Sequence, residues 1–359
     1  MRAVSAADSV SLAIQRTRQF LFTNFSWGTY LKLGLVAIIT EGLGSNSRSS
    51  TNSFRSSSKI GTLHTDGSIA PPQFQLPQFN LTPLQIAATV AAVLLALILA
   101  TVIFYLVTRL RFAYFHCLAF NTTEIRPGWS IYQSQASRFF WLNLVVGFCF
   151  LLLVGLIAIP FAAGFWRLIQ ESQNGASLDI PLMLSLVLPL IPIILLIAIA
   201  AFVSDMILRD WMLPHFALDD ASAGDAWSQV WARIQAEKRQ FLVYALLRIA
   251  LPIVAAVGLF ILLAIPGLVL GGAFAAAIFG VHSTFADATG ASFVVGILLQ
   301  VFFGVLAAGF AVLAGICLGG PVGTGIREYA LIFYGGRYKE LGDALYPPSG
   351  NTAPQGNTL

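Results

Sequence analysis

The stretch LQIAATVAAVLLALILATVIFYLVTRLRFAYFHCLAF, residues 84–120, decides the fold class. Its first part, 84–107, holds no charged residue and no polar–apolar alternation. A helix rises about 1.5 Å per residue, so this run outspans the ~30 Å hydrocarbon core of a bilayer. Backbone groups in lipid have to be bonded within their own segment, and a continuous apolar run does that as a helix rather than as a barrel strand. Arg109 and Arg111 follow at once, among aromatic residues. That is the composition expected where a span leaves the bilayer on its cytoplasmic side.

Five more stretches read the same way: residues 25–44, 139–163, 181–203, 241–270 and 292–318. The segment 25–44 departs most from the pattern, because it contains Lys32 and ends near Glu41. Residues 271–288, rich in glycine and alanine, suit a short interfacial or re-entrant piece. The whole chain agrees with this reading. Of 359 residues, 57% are hydrophobic and 10% charged, with mean hydropathy +0.80. A soluble domain carries about 25% charged residues. A soluble enzyme, a disordered chain and a nucleic-acid-binding domain are excluded on that ground.

The few charges give an orientation. With the N-terminus placed in the cytoplasm, fourteen of the 20 Lys and Arg residues lie inside, among them Arg109, Arg111, Arg209 and Arg327. Arg48, Arg55, Lys59 and Arg167 lie outside, and Lys32 and Arg248 fall within spans. This asymmetry predicts six spans with both termini cytoplasmic.

The same charges expose an internal repeat. Residues 5–8 read SAAD and residues 222–225 read SAGD, each suited to a capping box before an amphipathic helix. Each of those helices enters a span through Arg-Gln-Phe-Leu, at 18–21 and at 239–242; the middle copy enters through Arg138-Phe139-Phe140-Trp141-Leu142. Three spans exit alike, as RLRFAYFHCLAF, ILRDWMLPHFAL and GIREYALIFYGG. The expected architecture is therefore all-α: one transmembrane domain, residues 1–346, made of three helical hairpins, each preceded by a cytoplasmic amphipathic helix. The repeats run about 5–120, 121–220 and 221–346. A polar extracytoplasmic insert occupies 45–83, and residues 347–359 read as a disordered tail.

The three copies place Lys32, Asn143 and Arg248 at matching positions inside their spans. An ionisable group within a span is a candidate for function. These three are the expected ligand or lipid-headgroup site, converging about a pseudo-threefold axis; snorkelling of Lys32 and Arg248 to lipid phosphates is the competing reading. Ala307, Ala311, Gly315, Gly319 and Gly323 form a small-residue stripe that allows close helix contact. His116 and His215 stand at nearly matching places, the latter followed by Asp219 and Asp220. A histidine with two carboxylates would suit a divalent metal, but His116 lacks matching acids, so interfacial histidines are the preferred reading and no metal is expected. Cys117, Cys149 and Cys317 form no paired motif. No HExxH, GxSxG or Walker pattern occurs, so neither an enzyme nor a cofactor is expected.

Hairpins entered through an amphipathic helix, with segments such as WSQVWARIQAEKRQFLVYALL at 227–247, resemble the membrane domain associated with glycerophosphoryl diester phosphodiesterases in bacteria and archaea. The resemblance covers roughly residues 5–346 and implies the membrane part alone, without the catalytic domain and with no functional residue to carry over. The expected function is a non-enzymatic protein of a bacterial inner membrane that organises or binds lipids or protein partners. A transporter of a small solute or lipid is the alternative. Polar groups lining a continuous cavity would favour the alternative; a packed polar core at one membrane face would favour the first.

Overall fold

The computed structural model describes residues 4–23, 25–42, 82–173, 180–285 and 289–347. The insert expected at 45–83 and the tail at 347–359 lie almost wholly outside them. The described residues are all-helical, without a strand. In chain order the helices are α1 (Asp8–Phe22), α2 (Trp27–Ala37), α3 (Pro83–Ala119), α4 (Ile125–Ile131), α5 (Gln133–Gln173), α6 (Ile180–Met206), α7 (Leu213–Leu218), α8 (Ala223–Ala236), α9 (Lys238–Thr284), α10 (Ala291–Gly335) and α11 (Lys339–Leu345). Two π-helical segments, Ile38–Gly42 and Ile207–Met212, continue α2 and α6.

Among the described residues, five helices are long and apolar enough to cross a membrane: Pro83–Ala119, Gln133–Leu168, Met183–Leu218, Lys238–Thr284 and Ala291–Gly335. Prolines at 160, 189, 192, 252, 266 and 321 sit inside these helices, which spanning helices tolerate because neighbouring groups re-satisfy the backbone. Two expectations change in detail. The stretch expected to be interfacial or re-entrant from residue 271 is, as far as Thr284, a continuation of α9. The stretch expected as the first span is an 11-residue α-helix extended by a five-residue π-helical segment. These sixteen described residues rise about 24 Å, less than a hydrocarbon core.

The chain divides into two compact units. One comprises Asn46–Leu106 and Phe140–Met206. Here α5 and α6 approach closely at Gly164, where a Cβ would lie 2.6 Å from the Leu186 side chain. Phe104 and Tyr105 pack on the Phe140 ring at 5.6 and 5.5 Å. Most of the remaining large apolar side chains in this unit face outward, as lipid-facing positions do.

The other unit comprises Met1–Ser45, Val107–Phe139 and Ile207–Leu359. Its core is aromatic. Tyr244 stacks on Tyr329 at 5.0 Å and on Phe333 at 4.5 Å, and Phe139 meets Phe216 edge-on at 5.4 Å. Helices α1 and α2 form a hairpin along α10. Thr17 lies beside Gly325, Arg16 beside Glu328 and Val4 beside Arg337, so α1 runs antiparallel to α10. Tyr30 donates to the Cys317 carbonyl at 2.5 Å, Gly34 abuts Gly320 and Ala37 abuts Gly323, so α2 runs parallel to it. The lower part of the glycine stripe, Gly319 and Gly323, is where α2 packs.

Ser222 of SAGD is the N-cap of α8, and at SAAD, where α1 begins at Asp8 after Ala7, Ser5 makes the same pair of bonds two residues earlier. Ser5 Oγ accepts from the Asp8 amide at 3.1 Å, and Ser222 Oγ accepts from the Asp225 amide at 3.2 Å. In each, the serine hydroxyl donates to the aspartate carboxylate, at 2.6 and 2.7 Å. Replacing such a cap by alanine costs about 1 kcal/mol. Ser222→Ala is therefore expected to accelerate amide hydrogen exchange across Ala223–Ala236 about fivefold while α9 is unaffected. Unchanged exchange in α8 would show the cap to be idle. Two helix ends are also alike: Asn121 and Asp220, each five residues after a histidine, both take φ 52°, the left-handed conformation that Asn and Asp accept most readily after glycine.

Candidate functional site

In the aromatic-cored unit, the chain buries a cluster of charge. Asp210 is fully buried at the π-helical continuation of α6. Its Oδ2 accepts from the Tyr244 hydroxyl at 2.8 Å and from Arg248 Nε at 3.0 Å, and its Oδ1 accepts from Arg327 Nη1 at 3.1 Å. Glu41, in the π-helical continuation of α2, accepts on Oε2 from Arg209 Nη2 at 2.6 Å and from Arg248 Nη2 at 3.1 Å. Arg248 thus bridges the two carboxylates. Arg327 Nη1 also donates to the Arg209 carbonyl at 2.9 Å.

A small enclosed space, too tight for water, is lined by Thr40, Glu41, Arg111, Tyr114, Arg209, Leu213 and Arg327. The Tyr114 hydroxyl donates to Thr324 Oγ1 at 2.8 Å, which ties α3 to α10 beside it. Glu328, next along α10, pairs with Arg16 Nε at 3.2 Å, and Arg16 also donates to the Leu118 and Leu345 carbonyls. Removing so many charges from water is expensive, and the arrangement persists only because the guanidinium groups are held by carboxylate and carbonyl oxygens.

Local sequence explains the placement. Both carboxylates ride on π-helical segments, the two found among the described residues. A π segment shifts the helical phase and occurs often at functional sites. Here it turns Glu41 and the Arg209–Asp210 pair inward, although both follow strongly apolar helix. At the other end of α2, Phe22, Phe25 and Trp27 are exposed at the α1–α2 turn and pack on the buried Tyr30 ring or on one another. Trp27 is 64% exposed there.

The sequence matches a family of unknown function (DUF7544) over residues 4–344. The chain belongs to that family. No curated protein and no solved structure shows significant similarity to it.

In this family member the expected site residues take different positions. Arg248 is at the centre of the buried network. Lys32 is on the exposed side of α2, nine residues and thus roughly 13 Å along the helix from Glu41, so it is not one of the groups around Arg248. Asn143 belongs to the other compact unit. The matching residues brought together are Arg111, Arg209 and Arg327, one from each span exit. The sequence carried a signal for them: the exits RLRF, LRDW and IREY align, and an acid follows the arginine directly in two of the three. Glu41 had no such signal, since it looked like the outer end of a span.

His215 accepts or donates through Nε2 to the Tyr334 hydroxyl at 2.8 Å and lies 3.2 Å through Nδ1 from Asp219. His116 Nδ1 lies 3.3 Å from the Tyr132 hydroxyl. Both histidines thus meet a tyrosine. Among the described residues, no three His, Cys, Asp or Glu side chains are gathered in a metal-binding group.

Proposed function

We propose that this is a non-enzymatic membrane protein that binds and organises lipids at the cytoplasmic face of a bacterial cell membrane. The observation that carries this reading is the α1–α2 hairpin. Its aromatic turn is tied by Tyr30 to Cys317, at the end of the apolar stretch of α10, and its exposed Trp and Phe side chains have the character of a membrane-interface belt. The buried arginine network then locks the hairpin's far end, through Glu41, to α9 and to the π-helical segment Ile207–Met212. The charged groups around Arg248 are packed and bonded to one another rather than lining an open passage, which favours lipid organisation over transport.

The matched capping boxes, the matched left-handed helix ends and the convergence of the three exit arginines support a threefold repeat, with its amphipathic helices at the inner face. The resemblance to the phosphodiesterase-associated membrane domain belongs to the same proposal. The test is extraction into native-lipid nanodiscs followed by mass spectrometry of the retained lipids. Enrichment of a lipid class over the bulk membrane is expected, and it should fall when Phe25 and Trp27 are replaced together by alanine. Retained lipids that mirror the bulk membrane for both proteins would refute the proposal.

A further inference from the structure

Helices α1, α9 and α10 leave between them an apolar groove of about 400 Å³. Its walls include Val10, Ile14 and Phe22 on α1, Val254 and Ala255 on α9, and Ile326 on α10. Ile14 and Val254 are 63% and 68% exposed, so large aliphatic side chains stand open along it. Arg18 reaches the same groove from α1, is exposed, and among the described residues has no hydrogen-bond or ion-pair partner. Its neighbour two positions back behaves differently, since Arg16 is committed to Glu328 and two backbone carbonyls on another side of α1. The groove is continuous with the outward apolar surface of α9, a helix of membrane-spanning length.

We infer that this groove holds one acyl chain of an acidic glycerophospholipid whose phosphate is bound by Arg18. The charge of Arg18 and the membrane-spanning wall select this occupant. A soluble peptide would have to reach a surface that continues into the bilayer, whereas a lipid already has its chain there and its phosphate at the level of an interfacial arginine. The inference rests on the lipid-binding reading above and narrows it to one lipid class and one site.

The test uses the full-length protein in detergent, titrated separately with dioleoyl phosphatidylglycerol and dioleoyl phosphatidylcholine and followed by native mass spectrometry. The wild type is expected to bind the acidic lipid at least fivefold more tightly. Arg18→Gln should remove that preference while leaving weak binding of both lipids, and Arg18→Glu should reverse it. Ala255→Phe, which fills the groove, should reduce binding of both. Arg18 is exposed, so its variants report on the site independently of folding. If the preference survives in the Arg18 variants, the site is wrong although lipid binding stands. If the wild type retains neither lipid, the broader reading fails with it.

Discussion

Asp210→Ala is expected to destabilise the protein by about 3–5 kcal/mol, the cost of breaking a buried ion pair by removing one partner. Asp210 is fully buried and accepts from Tyr244, Arg248 and Arg327 at 2.8–3.1 Å. Alanine takes the acceptor from the buried Arg327 and from Arg248, which keeps only Glu41 as a carboxylate partner. Around this point four arginines (Arg111, Arg209, Arg248 and Arg327) face two carboxylates, Glu41 and Asp210. Loss of one carboxylate therefore deepens an existing excess of buried positive charge. Asp210→Asn preserves the shape and one acceptor oxygen and should cost less, though still more than an ordinary surface substitution.

The check is chemical denaturation in mixed micelles, and the informative comparison is with a variant that removes charge of both signs. Asp210→Leu combined with Arg327→Met should be less destabilised than the sum of its single changes, because residues in one network couple and an apolar replacement of a whole pair is often nearly neutral. A cost below about 0.5 kcal/mol for Asp210→Ala, the range of ordinary surface changes, would show that the network is solvated rather than buried.

What the sequence made legible follows from scale. Hydropathy sums over some twenty residues, so the long apolar helices were readable, as were the serine–aspartate bonds at Ser5 and Ser222, which depend on residues three apart. The place of residues 25–42 was not readable by those means. Their composition is nearly that of a span, and whether they cross or lie along α10 depends on the mate of Gly34, which is 286 positions away at Gly320. The charge cluster was half legible. Aligned exits singled out Arg111, Arg209 and Arg327 as equivalent, but the positive-inside pattern explains arginines at a span exit without any need for them to meet. Their meeting requires π-helical turns at Glu41 and Asp210, and a change of helical phase leaves no signature in composition. Lys32 and Arg248 looked alike because each is a lone cation in apolar sequence; they separate because only Arg248 has carboxylates within reach.

Gly320→Leu is the second change with a large expected effect, and it tests the placement of α2 directly. A Cβ at position 320 would lie 2.6 Å from Gly34 Cα, and a Cβ at Gly34 would lie 3.1 Å from the Ile316 carbonyl oxygen. These contacts are with backbone, which cannot rotate away as a side-chain tip can. Overpacking of this kind costs about 1–3 kcal/mol, and pushing α2 off α10 would also draw Glu41 away from Arg209 and Arg248. Gly315 lies on the same helix, but a Cβ there meets nothing within 4 Å, so Gly315→Leu should be nearly neutral.

The readout is a cross-link. A Cβ at Gly323 would sit 3.4 Å from the Ala37 Cβ, close to the separation a disulfide needs. With Cys117, Cys149 and Cys317 replaced by alanine, the pair Ala37→Cys and Gly323→Cys should oxidise nearly completely. Adding Gly320→Leu should abolish the bond and adding Gly315→Leu should leave it intact. Because α2 runs parallel to α10, a second pair that assumes the antiparallel register, Tyr30→Cys with Gly323→Cys, should not form. Cross-linking of that second pair in place of the first would reverse the direction of α2 and remove Glu41 from the arginine network.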